Sequence, residues 1–233
     1  MLAMIAALLI LNPADHAGAS RACEPLPGRN WTFDSEPEGG LPIGWKSSGD
    51  TGGRVYGIAR ERDGNAYLKA SSRNDGVQLG IEVQADRADA LVLSWRWRVW
   101  ELPAGGDERR VDTMDSAASV YAMFGSRVFP RAIKYVWSSA VPAGTTLHHP
   151  RSDRVGIVVV ASGAEGLGSW HTVRRTLTDD YRRLFGGEPG RLRGLGVKSD
   201  SDSTSSAARA DFDDIQLWPG SFCEPGGRGA KRE

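Results

Sequence analysis

Leu91-Val-Leu-Ser-Trp-Arg-Trp-Arg-Val-Trp100 decides the fold class. A strand turns successive side chains to opposite faces, so Leu91, Leu93, Trp95, Trp97 and Val99 share one face and Ser94, Arg96 and Arg98 share the other. The apolar face carries two indoles and needs a second layer to cover it. This is the clearest strand of the chain, and Pro103-Ala-Gly-Gly106 ends it.

The same kind of pattern recurs on both sides. Residues 54–60, 65–70 and 77–83 alternate or are rich in β-branched and aromatic residues, with Asp63-Gly64 and Asn74-Asp75-Gly76 as turns between them. Further strands are predicted at 118–124, 132–137, 155–161, 170–177, 192–198 and 210–218. The continuous apolar run at 157–161 predicts a strand covered on both faces. One short helix is predicted near 179–186: Thr178 can cap it, Asp179 and Asp180 suit its positive end, and Gly186 or Gly187 can stop it. About ten strands without βαβ alternation indicate an all-β chain, an antiparallel β-sandwich or jelly roll.

Length and charge bound the rest. The 233 residues carry 29 Lys+Arg against 29 Asp+Glu, a formal net charge of zero, which excludes nucleic-acid binding driven by bulk charge. No internal repeat or linker divides residues 23–224, which are read as a single domain, followed by a polar tail at 225–233. Residues 1–22 read as a secretory signal peptide: the apolar run Met1–Leu11 is too short to span a bilayer, and small residues follow at Ala17-Gly-Ala-Ser20. The expected location is the periplasm or the exterior, with no transmembrane span in the mature protein. Cys23 and Cys223, the only cysteines, each open a Cys-Glu-Pro tripeptide near one end of that domain, and in an exported chain they are expected to form one disulfide.

Ordered pieces of the chain carry a family resemblance. They are Trp95-Arg-Trp-Arg-Val99, Asp112 and Asp115 before Val120-Tyr-Ala-Met-Phe124, then Tyr135-Val-Trp137-Ser-Ser139 with Pro142 and Gly144. Ile157-Val-Val-Val-Ala-Ser-Gly163, Trp170, Asp179-Asp-Tyr181 with Phe185-Gly186, Lys198-Ser-Asp200-Ser-Asp202 and Asp213-Asp-Ile215 complete the series. Over roughly residues 30–218 the chain resembles an uncharacterised bacterial family of exported proteins, known only as a domain of unknown function. It departs from that pattern at Ser119, where an arginine is expected, and at Asp112 and Asp115, where the acids are usually adjacent. The resemblance implies a β-sandwich similar to carbohydrate-binding jelly rolls and brings no activity with it.

Three groups of residues could carry chemistry. Arg96 and Arg98 point the same way, and Lys134, Arg174 and Arg193 alternate with apolar residues on other strands. If those strands adjoin, they form a basic stripe suited to carboxylate, sulfate or phosphate; the competing reading is an ordinary solvated face paired with acids. Trp100, Trp45 and Trp137 are candidates to line a groove and stack on sugar rings. Asp200, Asp202 and Asp211, with Thr204 between, have the spacing of calcium-loop ligands. Ser205 stands where that loop needs glycine and flanking helices are absent, so an EF-hand is excluded, and a looser calcium site stays open beside a plain polar turn. Asp213 shares parity with Ile215 and Leu217 and is expected to face inward, held by hydrogen bonds.

These features favour an exported, non-catalytic binding module for a glycan or another anionic envelope ligand. The alternatives are a polysaccharide hydrolase or lyase using Tyr121, His171 and Asp115, and a structural envelope protein. No Gly-x-Ser-x-Gly elbow, phosphate loop, dinucleotide fingerprint or His-Glu-x-x-His motif is present.

Overall fold

A computed structural model describes residues 25–26, 29–85, 91–126 and 128–220. The expected signal peptide, both cysteines and the residues after Gly220 lie outside the described residues, and with them the expected disulfide. The strands are β1 (Asn30–Trp31), β2 (Lys46–Ser47), β3 (Tyr56–Arg60), β4 (Ala66–Arg73), β5 (Gln78–Ala85), β6 (Leu91–Glu101) and β7 (Ala118–Gly125). They continue as β8 (Pro130–Ser138), β9 (Thr146–His149), β10 (Ser152–Ser162), β11 (His171–Thr176), β12 (Leu192–Lys198) and β13 (Ala207–Pro219). Two short helices accompany them, α1 (Gly52–Val55) and α2 (Leu177–Phe185). Among the described residues no helix is long and apolar enough to cross a membrane.

The strands form a two-sheet sandwich. Sheet A runs β11-β6-β13-β4-β3, with β1 also paired to β13; sheet B runs β2-β5-β12-β7-β8-β10-β9. The inward face of β6 is as expected, with Leu93, Trp95, Trp97 and Val99 in the core, but Val92, Ser94 and Arg98 on the opposite face are buried as well. Trp95 meets Tyr135 at 5.2 Å and Trp97 meets Trp137 at 6.2 Å between ring centroids, which locks β6 of one sheet onto β8 of the other. Trp45 and Trp137, candidates for a groove, belong to this core, and only Trp100 of the three reaches the surface.

Among the described residues, pairing is antiparallel with one exception. β10 runs parallel to β8 and antiparallel to β9, because the chain crosses the outer face of sheet B between β8 and β10. That crossing lays Val141 and Leu147 over Val136, Ile157 and Val159, while Val158 faces the main core. The apolar run at 157–161 is therefore covered on both sides, as its composition predicts.

The predicted helix is α2. Its N-cap is Thr176, not Thr178, and no side chain caps it. Instead Asp180 ties its first turn to the sandwich, accepting hydrogen bonds from Arg175 (2.8 and 2.5 Å) and from the Tyr135 hydroxyl (3.0 Å). Gly186, at φ +66°, ends it.

Candidate functional site

The outer face of sheet A is built by four neighbouring strands. Pairing sets Arg96 of β6 beside Asp213 of β13 and Thr172 of β11, and Arg98 beside Asp211; Asp211 in turn lies beside Lys69 of β4. Asp213 thus faces outward, against the expectation from parity. The cause is a bulge: Asp214 adopts φ +48° and the register with β6 shifts between Asp213 and Gln216, so Phe212 and Ile215 both face the core.

Both arginines are held by carboxylates. Arg96 donates to Asp213 through Nε (3.1 Å) and Nη2, to Asn65 Oδ1 at 2.8 Å, and pairs with Asp214 at 3.2 Å. Asn65 donates from Nδ2 to Asp213 at 3.0 Å. Arg98 donates to Asp211 from Nε (2.9 Å) and Nη2 (2.8 Å), and its Nη1 meets Glu61 at 2.8 Å. Trp100 Nε1 donates to the same Asp211 oxygen at 2.6 Å.

Aromatic rings close around this ladder. The Arg98 guanidinium carbon sits 4.5 Å from the Trp170 ring, 4.6 Å from Trp100 and 5.2 Å from Tyr67, and Arg96 lies 4.6 Å from Trp170. Trp170 and Tyr67 meet edge to face at 5.8 Å. Burial raises the Asp213 carboxyl to about 6, above the usual carboxylate range, even with Arg96 and Asn65 on it. Burial also raises Asp211, against the pull of Trp100 and Arg98. For Arg98 burial opposes the charge, but the bonds and charge of Asp211 and Glu61 outweigh it and hold the guanidinium above its ordinary range.

Above these groups lies a cleft of about 490 Å³ lined by Glu61, Asp63, Asn65, Arg96, Arg98 and Trp170 among others. A smaller hollow of about 150 Å³ lies between Tyr67, Trp100, Arg209 and Asp211. Planar polar groups of fixed orientation, flanked by indole and phenol rings, suit hydroxyl-rich rings: the polar edges take hydroxyls and the aromatic faces take C–H faces. Arg96, Arg98 and Trp100 are the cleft residues expected from sequence; Trp170, Tyr67, Glu61 and Asn65 join them only in the fold. Tyr67 sits between core residues Ala66 and Leu68 in β4, and that alternation was the legible clue; nothing local marked the other three.

The remaining candidate residues lie elsewhere. Arg174 is on the same face as Arg96, paired beside Ser94. Lys134 and Arg193 belong to sheet B, so the five basic residues form no continuous stripe. Lys134 is buried and donates to Ser116 Oγ at 3.2 Å; that hydroxyl donates to the buried Glu108 at 2.7 Å. Arg193 bonds the Gly125 carbonyl beside a groove of about 630 Å³ floored by Gly80 and Gly194. His171 packs on Trp137 between the sheets, whereas Tyr121 is on the outer face of sheet B, so the suggested catalytic trio does not converge. Asp200 and Asp202 cluster with Asp115, a set that could hold a metal ion, and Asp211 is separate from them in sheet A.

Residues 45–216 match the family model described as "Protein of unknown function (DUF3047)", and the chain belongs to that family. No curated protein matches it in sequence. Among solved structures it is similar in fold to carbohydrate-binding modules from the beta-sandwich super family, at 15% identity and TM-score 0.44, over 82% of this chain and 61% of that one. It is likewise similar to a module in complex with beta-1,4-galactotriose (12% identity, TM-score 0.41, 82% and 99% of the two chains). A module specific for non-crystalline cellulose matches at 13% identity and TM-score 0.38, over 81% and 92%.

Proposed function

We propose that this member of the DUF3047 family is an exported, non-catalytic module that binds a neutral glycan in the cleft on the outer face of sheet A. One observation carries the reading: Arg96, Arg98 and Asn65 are fixed beneath Trp170 and beside Trp100 by their own hydrogen bonds. Such a site pays little conformational entropy when a sugar docks, because its polar edges are already oriented. Each arginine is matched by two carboxylates, Arg96 by Asp213 and Asp214 and Arg98 by Asp211 and Glu61. That leaves them hydrogen-bonding capacity without surplus positive charge, which favours neutral sugars over the anionic ligands a bare arginine stripe would select. The same pairing favours binding over hydrolysis, since the carboxylates that a glycosidase would use are occupied. Export is supported by the apolar run Met1–Leu11 and the small residues after it.

Calorimetric titration of the full chain with neutral β-linked galactose, xylose and glucose oligomers, beside uronic-acid oligomers, tests this. Saturable binding of a neutral oligomer, abolished by Trp170→Ala, is expected. Binding of the uronates alone, or of none, would overturn the reading, as would binding that survives Trp170→Ala combined with Trp100→Ala.

A further inference from the structure

We propose that Asp115, Asp200 and Asp202 form a calcium site beside the adjoining ends of β7 and β12, independent of the glycan cleft. One oxygen from each carboxylate lies within 4.8 Å of the others. Calcium takes oxygen ligands at about 2.3–2.6 Å, so two oxygens on opposite sides of one ion stand roughly 4.6–5.2 Å apart. The three can therefore close on a single ion.

A second observation separates this cluster from a polar turn. Asp200 is buried, and its Oδ2 takes the Lys198 ammonium at 2.6 Å, yet its Oδ1 has no hydrogen-bond partner. A buried carboxylate oxygen left bare is costly, and a cation is the partner that would satisfy it. Asp200 Oδ1 and Asp202 Oδ2 both lean over Gly76, where a Cβ would come within 2.4 and 2.6 Å of them. Glycine is needed at 76 for those two carboxylates to approach. Asp115 is already oriented, accepting from the backbone of Ser203 (3.2 Å) and Thr204 (2.7 Å).

Charge favours a cation there. Three carboxylates outweigh Lys198, which bonds Asp200, and Lys134, which acts on it at longer range, so the cluster keeps a negative charge that a cation offsets. Asp202 is exposed, so one side of the site is open to solvent and leaves room for waters to complete the shell. The sharp bend is present without a glycine: Ser205 adopts φ +50°, the conformation usually left to glycine.

The full chain, freed of metal by chelation and dialysis, is titrated with calcium and separately with magnesium, following heat of binding and melting temperature. Calcium should bind and raise the melting temperature with concentration, with magnesium markedly weaker. Asp202→Asn, at an exposed position, should fold normally and bind calcium roughly tenfold or more weakly, because one ligand charge is gone. Asp153→Asn, an exposed acid outside the cluster, should change nothing. No binding heat and a flat melting temperature up to millimolar calcium would overturn the proposal. So would a calcium response that both Asp200→Asn and Asp202→Asn leave intact. Glycan binding is read out separately at Trp170, so loss of either property leaves the other testable.

Discussion

Arg98→Ala should destabilise the protein about as much as truncating a core tryptophan. Polarity alone suggests otherwise, since alternation sets the arginines of β6 opposite Trp95 and Trp97 and predicts that they are dispensable for folding. The structure changes the expectation: the Arg98 side chain is 10% exposed and that of its partner Asp211 is 4% exposed. Removing the guanidinium leaves Asp211 with only the Trp100 indole N–H among its present charge-stabilising contacts. Breaking a buried pair by deleting one partner costs about 3–5 kcal/mol. The Glu61 contact adds little, because that carboxylate is 34% exposed and such pairs are worth about 0–1 kcal/mol. Trp97→Ala is expected to cost a similar amount, about 3–5 kcal/mol. Urea denaturation followed by far-ultraviolet circular dichroism measures both. Arg98→Met combined with Asp211→Leu should recover most of the loss, since a matched apolar pair can replace a buried ion pair without net cost. The loss in Arg98→Ala should also shrink in acid. Burial raises Asp211 above its ordinary range, so its protonated form stabilises the fold at low pH and that contribution vanishes as pH rises through the folded value. A loss below about 1 kcal/mol for Arg98→Ala would show that Asp211 is solvated and refute the reasoning. A double variant less stable than Arg98→Ala would refute it as well.

Three further outcomes are expected. Asp213 is raised by burial from 3.8 to about 6, so its protonation favours the folded state; that stabilisation is present below the unfolded value and lost as pH rises through about 6. The difference in stability between wild type and Asp213→Asn should therefore change by about 3 kcal/mol across that window, measured by urea melts at several pH values, and a constant difference would contradict it. Ser205→Gly should stabilise by about 1 kcal/mol, because Ser205 is exposed and held at φ +50°, and thermal melting checks it. Asp180→Asn should cost about 2 kcal/mol and loosen α2 first, visible as faster amide exchange over 177–185, since Arg175 and Tyr135 both bond that carboxylate.

Much of the sandwich was legible because burial on one face leaves a period of two. β4 buries every second residue and β7 does so from Val120 to Gly125, while Asp63-Gly64 marks the hairpin between β3 and β4 and Asn74-Asp75-Gly76 marks the turn that carries the chain from sheet A to sheet B. Strands too short to show a period escaped: β1 and β2 have two residues each and β9 has four, and all three are recognisable only from their partners. The parallel pairing of β10 with β8 escaped for a different reason. A run buried on both sides reveals that it is covered, not by what.

The site was harder to read because its assembly is non-local and because one residue breaks the local rule. Counting by twos places Asp213 on the core side with Ile215, and only the left-handed turn at Asp214 reverses it. Without that bulge, Asp213 would enter the tryptophan core and Arg96 would lose its closest partner. With it, Asp211 and Asp213 stand beside Arg98 and Arg96, and two acidic residues that look misplaced in sequence become the buried partners that fix both arginines in the cleft lining. Aspartate is among the side chains that tolerate the left-handed region, so Asp214 can both make the bend and pair with Arg96. The acids of the calcium proposal follow the same logic. Asp211 fits a ligand spacing along the chain, but pairing in sheet A commits it to Arg98, and the third carboxylate comes instead from Asp115, far away in sequence and adjacent only once β7 and β12 pair.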